Sequence, residues 1–340
     1  LLLFFKNEGL PSSRMVRSLM MSCPFHRAAL GQIFAVALLA GHASAAALTD
    51  DPLSRATHGV LLGVARAGAR LVAVGDRGHV LLSDDDGITW RAGKSGTDAL
   101  LTSVVFAGPK EGWAVGQDEI VLHSGDGGES WTRQHFTPNA DQNLFSVALL
   151  GPAHALASGA YNLILETQDG TDWKEGKLPD LDDDYHLNCA VARGDDVLLT
   201  GESGHAFVRH AGAWAKMPVP YEGSQFGCLL GQDGSFYSFG LRGSLFRAAS
   251  GATSWSRMDT GGAGSLFGGT VLADGELALV GGNGALLLVD PASGTVKKLK
   301  SGTGATLSAV VEAKDGKLVS VGEDGVHVID LSDAGQEATP

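Results

Sequence analysis

Apolar positions along this chain come in short runs of four to six residues. From residue 58 onward they alternate or cluster as strands do and seldom return at the 3.6-residue helical period. The stretch from 101 to 136 shows the unit most clearly. Leu101–Phe106, Trp113–Gly116, Ile120–His123 and Trp131–Phe136 each read as a strand, rich in β-branched or aromatic residues and bounded by turn formers. The same grammar recurs at Leu71–Val74 with Val80–Leu82, at Val197–Thr200 with Ala206–Val208, and at Leu277–Val280 with Leu286–Val289.

The second run of each unit ends on a glycine: Gly75, Gly116, Gly159, Gly201, Gly240, Gly281 and Gly322, at steps of 41, 43, 42, 39, 41 and 41 residues. In five units another glycine follows three residues later (Gly78, Gly204, Gly243, Gly284, Gly325), whereas Glu119 and Asn162 take that place in the second and third. Four strands per repeat of about 40 residues define a propeller blade, because one small sheet buries its faces only by stacking on its neighbours. The sequence therefore predicts an all-β fold, a seven-bladed β-propeller of four-stranded antiparallel blades. The last repeat, Leu307–Glu312, Leu318–Val321 and Val326–Ile329, lacks a convincing outer strand. Residues 47–57 are expected to supply it and so close the ring, with a strand at 331–335 as the alternative.

Composition agrees, since 48 of 340 residues are glycine, about twice ordinary usage, with no Gly-X-Y period. The amino-terminal stretch lies outside the repeats. Met21 opens a basic start, Ala28–Ala40 is apolar, and small residues surround Ala45, which is the pattern of a secretory signal. A stretch of thirteen mostly apolar residues is too short to span a bilayer. The expected organisation is an upstream extension at 1–20, a signal at 21–45, one propeller domain at 46–335 and a tail at 336–340, exported to a periplasm or its lumenal equivalent. Without residues 1–45 the chain holds 21 basic and 37 acidic side chains, a net charge of −16. Such a surface repels nucleic acid and anionic lipid, so neither is expected as a partner. No stable membrane insertion is expected either.

Two of the three cysteines follow the signal. Cys189 and Cys228 fall at equivalent positions in the first strands of consecutive blades, which stand side by side around the axis. A disulfide and two buried thiols are both compatible with that placement.

Ser83-Asp84-Asp85-Asp86-Gly87-Ile88-Thr89-Trp90 and Ser124-Gly125-Asp126-Gly127-Gly128-Glu129-Ser130-Trp131 share the pattern Ser-x-Asp-x-Gly-x-Thr/Ser-Trp. The expected structural set is Ser83, Asp85, Gly87, Thr89 and Trp90 with Ser124, Asp126, Gly128, Ser130 and Trp131. Serine and aspartate bond turn amides, glycine takes the left-handed backbone, and tryptophan packs between sheets. This hairpin is the Asp-box, or BNR repeat, and Thr167–Trp173 is a copy one residue short. Its aspartates, like Asp180, Asp182, Asp183 and Asp184, suggest calcium, but Asp-box carboxylates serve their own turns and an acidic loop is solvated. No metal or cofactor is expected.

These repeats, with Trp113-Ala-Val-Gly116 and the second Asp-box, resemble the BNR-repeat propellers related to the photosystem II stability and assembly factor over residues 47–332. Photosynthetic members look like lumenal assembly chaperones that bind an early reaction-centre subunit through an arginine-rich patch. Relatives in other bacteria look like periplasmic accessories to membrane transport machinery. The resemblance implies a monomeric, non-catalytic protein-binding propeller serving a membrane-protein complex or transporter.

Blade geometry puts the Gly-x-x-Gly turns and the blade-to-blade connections on one face, where binding residues concentrate. Arg77, Tyr161, Asp182, Asp183, Tyr185, His186, Tyr221, Glu222 and Arg242 gather there and make the expected partner-binding face. The alternative is a carbohydrate-binding or sialidase-like propeller. That chemistry needs three arginines, a Tyr–Glu pair and an acidic Asp. Arg55, Arg66 and Arg70 precede the first Asp-box without the expected phrase, Tyr237 lies within a strand, and only Glu222 adjoins a tyrosine on this face. No catalytic residue is assigned.

Overall fold

The computed structural model describes residues 52–179 and 183–335. The expected extension, signal and tail, together with Asp182, lie outside them. Seven antiparallel sheets follow one another in chain order. Six have four strands in sequential order: 61–92, 101–135, 144–175, 189–216, 225–257 and 266–300. The seventh, 307–330, has three among the described residues. The protein is a seven-bladed β-propeller.

Burial follows strand position. Second strands such as Leu277–Gly281 and Gly112–Gly116 are buried at every residue, because a neighbouring blade covers each face. Fourth strands such as Arg91–Ala92 and Ser256–Arg257 are exposed at the perimeter. The core therefore lies between blades, at their second and third strands, and this is why those strands read as unbroken apolar runs.

The repeated glycine has a steric cause. A Cβ on Gly116 would sit 1.9 Å from the carbonyl oxygen of Leu100, where the incoming connection crosses the end of the second strand. That crossing is held by Gln117 N–H donating to Leu100 O at 2.9 Å. The glycine three residues later is left-handed, as at Gly78 (φ +65°), whose Cβ would meet Thr97 O at 1.9 Å. Glu119 and Asn162 adopt the same conformation, at φ 57° and 60°.

Near this end six of the seven inner-strand pairings carry a one-residue irregularity, for example between Leu101 and Ser103 and between Gln225 and Gly227. The residue skipped in blade 2, Thr102, donates to Leu144 O of blade 3 at 2.8 Å. In blade 4, Asn188, just ahead of the inner strand, donates to Gln225 O of blade 5 at 3.0 Å. Blades are thus stitched together around the axis. Between blades 4 and 5 the stitch is covalent: Cys189 and Cys228 form a disulfide with Cα atoms 5.8 Å apart.

Ring closure is described only in part, and its described part departs from expectation. Of the segment expected to add a strand, residues 47–51 lie outside the described part and Pro52–Thr57 is a helix. Proline at the first position, then Leu, Arg and Ala with one β-branched residue, favours a helical turn over an edge strand. Ala56 packs against Leu61, Leu81 and Val321, between blades 1 and 7. Residues 331–335 do not supply the strand either; they turn, and Gly335 O accepts from Lys300 N–H of blade 6. Blades 1 and 7 join through their inner strands. Arg66 donates to Glu312 O at 2.9 and 2.6 Å and to Asp86 at 2.7 Å, and Lys314 also pairs with Asp86.

Candidate partner-binding face

Six of the seven Gly-x-x-Gly turns are single 3-10 turns whose middle residue is left-handed: Arg77, Asp118, Tyr161, Ser203, Arg242 and Asn283, at φ 51–56°. The conformation is shared around the ring, so it belongs to the architecture. What differs is the side chain carried. Tyr161 is 45% exposed and is one of three large exposed hydrophobic residues among those described.

Tyr161 stands in an aromatic group. Its ring lies edge-on to His186 with centroids 5.0 Å apart, and His186 lies 5.6 Å from Phe145. Tyr185 stacks on His205 at 3.6 Å with planes 21° apart. The backbone fixes these rings: Asn162 N–H donates to Tyr185 O at 2.7 Å, and its side-chain amide donates to Asp183 O at 2.8 Å. Glu202 accepts from His186 N–H at 3.0 Å, tying the blade 3–4 connection to the turn of blade 4. Four of the expected residues, Tyr161, Asp183, Tyr185 and His186, are therefore brought together.

Tyr221, Glu222 and Arg242 form a second group one blade on. The Tyr221 hydroxyl donates to Leu241 O at 3.1 Å beside Arg242, and Glu222 and Arg242 are exposed. The two groups meet at Gly204, packed against the Tyr221 carbonyl and followed directly by His205. Arg77 belongs to blade 1, on the same face but apart, and is 77% exposed beside Asp76. The residues that sequence reasoning missed are Phe145, Asn162, Glu202 and His205. His205 was the most visible of them, an imidazole at a position where five repeats carry Ile120, Leu163, Ser244, Ala285 or Val326 and only the first repeat also has one, His79.

The Asp-boxes lie on the outer rim and close on themselves. Asp85 accepts from Ser83 Oγ and from Thr89 N–H, both at 2.8 Å, and from Thr89 Oγ1 at 2.5 Å. The Thr89 bonds, with Ser83, lower its pKa to about 2. Asp126 repeats the pattern with Ser124 and Ser130, and Trp90 and Trp131 donate to Gly87 O and Gly128 O at 3.0 Å. In the shortened copy the amides of Asp172 and Thr171 hold Asp169 below the usual carboxylate range.

Two arginines weighed for sialidase-like chemistry have other work. Arg66 closes the ring, and Arg70 pairs with Asp84 and Glu129 at 2.6 and 2.9 Å. Both sit near the turn from first to second strand, at the end of the blade opposite the Gly-x-x-Gly turns. Tyr237 is fully buried.

Fold and motif define a BNR-type β-propeller. Over part of its length the chain is similar to photosystem II assembly factors: residues 56–140 match the family described as Photosynthesis system II assembly factor YCF48. The chain is 28% identical over 111 residues to Photosystem II assembly lipoprotein Ycf48 of Synechococcus sp. (strain CC9902), covering 32% of this chain and 33% of that protein. It is 30% identical over 132 residues to the chloroplastic Photosystem II stability/assembly factor HCF136 of Oryza sativa subsp. japonica, covering 37% of this chain and 28% of that one. These matches span about a third of the relatives' own length. Among solved structures, YCF48 bound to D1 peptide superposes with a TM-score of 0.66 at 18% identity, over 82% of this chain and 95% of that one. A streptogramin B lyase gives 0.68 at 14% identity, over 83% and 95%. The ring alone therefore does not select a function.

Proposed function

We propose that this propeller is an exported, monomeric, non-catalytic binding protein that assists assembly or stability of a membrane-protein complex, holding a partner segment on its Gly-x-x-Gly face. The observation that carries this reading is the aromatic group Tyr161, Tyr185, His186 and His205, rigidly held yet open to solvent on one rim of the ring. Tyrosine and arginine, present here with Arg242, are the residue types that anchor protein interfaces. Partial relatives named as assembly factors, and a solved propeller of like fold, YCF48 bound to D1 peptide, favour the same use of the fold. Export is supported by the disulfide, which persists in oxidising compartments, and by the signal-like pattern at residues 21–45.

Affinity capture from crosslinked envelopes tests the reading, comparing wild type with an Arg77→Glu, Arg242→Glu double variant and with Tyr161→Ala. A membrane-protein partner should be captured by wild type and lost, or reduced at least tenfold, in Tyr161→Ala. Equal capture by all three proteins would show that this face is not the one used.

A further inference from the structure

Tyr161 differs from its counterparts around the ring. In the other five left-handed turns the middle residue is polar or charged: Arg77, Asp118, Ser203, Arg242 or Asn283. A bulky ring at positive φ is uncommon, since short polar side chains tolerate that backbone better. Here the turn presents the ring on the rim, where Tyr161 stays 45% exposed beside His186. Burial does not account for it.

The charges around this ring are mostly of one sign. Asp183 is fixed close by, its carbonyl accepting from the Asn162 side chain, and the Glu202 carboxylate accepts from His186 N–H. Asp183 and Asp184 are exposed, and neither forms an ion pair among the described residues. Glu222, exposed on the next connection, adds a fourth carboxylate. The described residues of connections 176–188 and 217–224, and of the turns they cross, include two cations, Lys177 and Arg242. A ring with carboxylates nearby attracts a cation, through the ring quadrupole and through charge. A neutral apolar segment gains nothing from the carboxylates, and an acidic one is repelled. Arginine suits the arrangement better than lysine, because its flat guanidinium stacks on a ring while its N–H groups reach carboxylates.

We propose that the partner segment held on this face docks through an arginine, its guanidinium stacked on Tyr161 and its N–H groups turned toward the carboxylates of Asp183 and Asp184. The inference rests on the reading of this face as partner-binding and adds the chemistry of the partner: a basic polypeptide segment, with no acidic residue beside that arginine.

The probe is a fluorescent nonapeptide of glycine and serine with arginine at its fourth and sixth positions, titrated by anisotropy against the full protein. Matched peptides carry citrulline, which keeps the planar group without its charge, or glutamate. Saturable binding is expected for arginine, weakened tenfold or more by citrulline and abolished by glutamate. Tyr161→Leu keeps apolar bulk but removes the ring, and should weaken binding tenfold or more, while Tyr161→Phe stays within twofold. An Asp183→Asn, Asp184→Asn double variant should weaken it at least threefold. Asp195 and Asp315 are exposed in turns at the opposite end of their blades. Replacing both by asparagine removes the same charge and should leave affinity within twofold, which separates a local site from the protein's net charge. Equal binding of arginine and citrulline peptides, no binding, unchanged affinity in Tyr161→Leu, or equal losses in the two aspartate double variants would overturn the proposal. If envelope capture still depends on Tyr161 in that case, the partner-binding reading of the face stands and the arginine anchor alone falls.

Discussion

Asp85 shows how one side chain fixes a hairpin. Its carboxylate collects a serine hydroxyl, a threonine hydroxyl and an amide, and these bonds favour the charged form. Because its pKa is depressed to about 2, the hairpin's stabilisation is complete above the ordinary carboxylate range near pH 4 and is lost as pH falls towards 2. NMR titration of the Asp85 carboxyl should give a midpoint near pH 2, with the Thr89 amide shift moving in step. A midpoint near 4 would mean the hairpin bonds are not formed in solution. Gly78 is the other clear case at this scale. Adding a Cβ there strains a left-handed residue and drives an atom into Thr97 O, so Gly78→Val should cost about 2–4 kcal/mol in urea unfolding. These features were legible in the sequence because each is local: the Asp-box spans eight residues and the glycine turn four. His205 and Glu202 were not, since their partners Tyr185 and His186 come from another blade's connection.

Among elements, the inner strands decide whether blades hold together. The cysteine pair could be placed on adjacent strands from repeat alignment, yet bridging depended on side-chain direction, which alignment does not give. The bond joins blades 4 and 5 across 39 residues, so Cys228→Ser should lower unfolding stability by about 2–4 kcal/mol. Adding reductant should bring the wild type down to the variant; an unchanged wild type would contradict a structural role. Within the segment expected to close the ring, Pro52–Thr57 is where strand grammar misled. Topology asked for an edge strand, whereas Pro52, Leu53, Arg55 and Ala56 prefer a helix and, by burying Ala56 between blades, form one. Local propensity prevailed because a perimeter strand has little burial with which to override it, as the exposed fourth strands of other blades show.

At the scale of the whole molecule, a repeat read from glycine spacing gave the blade number, and the number gave the ring. The ring in turn sorts side chains by face, so Tyr161, Tyr185 and His186 lie at one end while Arg66, Glu312 and Lys314 close the joint at the other. What the ring leaves open is the choice among uses, since an assembly factor and a lyase share it at similar TM-scores. That choice rests on the aromatic rim. Photocrosslinking in envelopes decides it most directly, with a photoreactive residue placed at Tyr161 in one protein and at Lys314, on the opposite face, in another. The account predicts a discrete crosslinked membrane protein from position 161 and none from position 314. Crosslinks of equal yield from both positions, or from 314 alone, would contradict it.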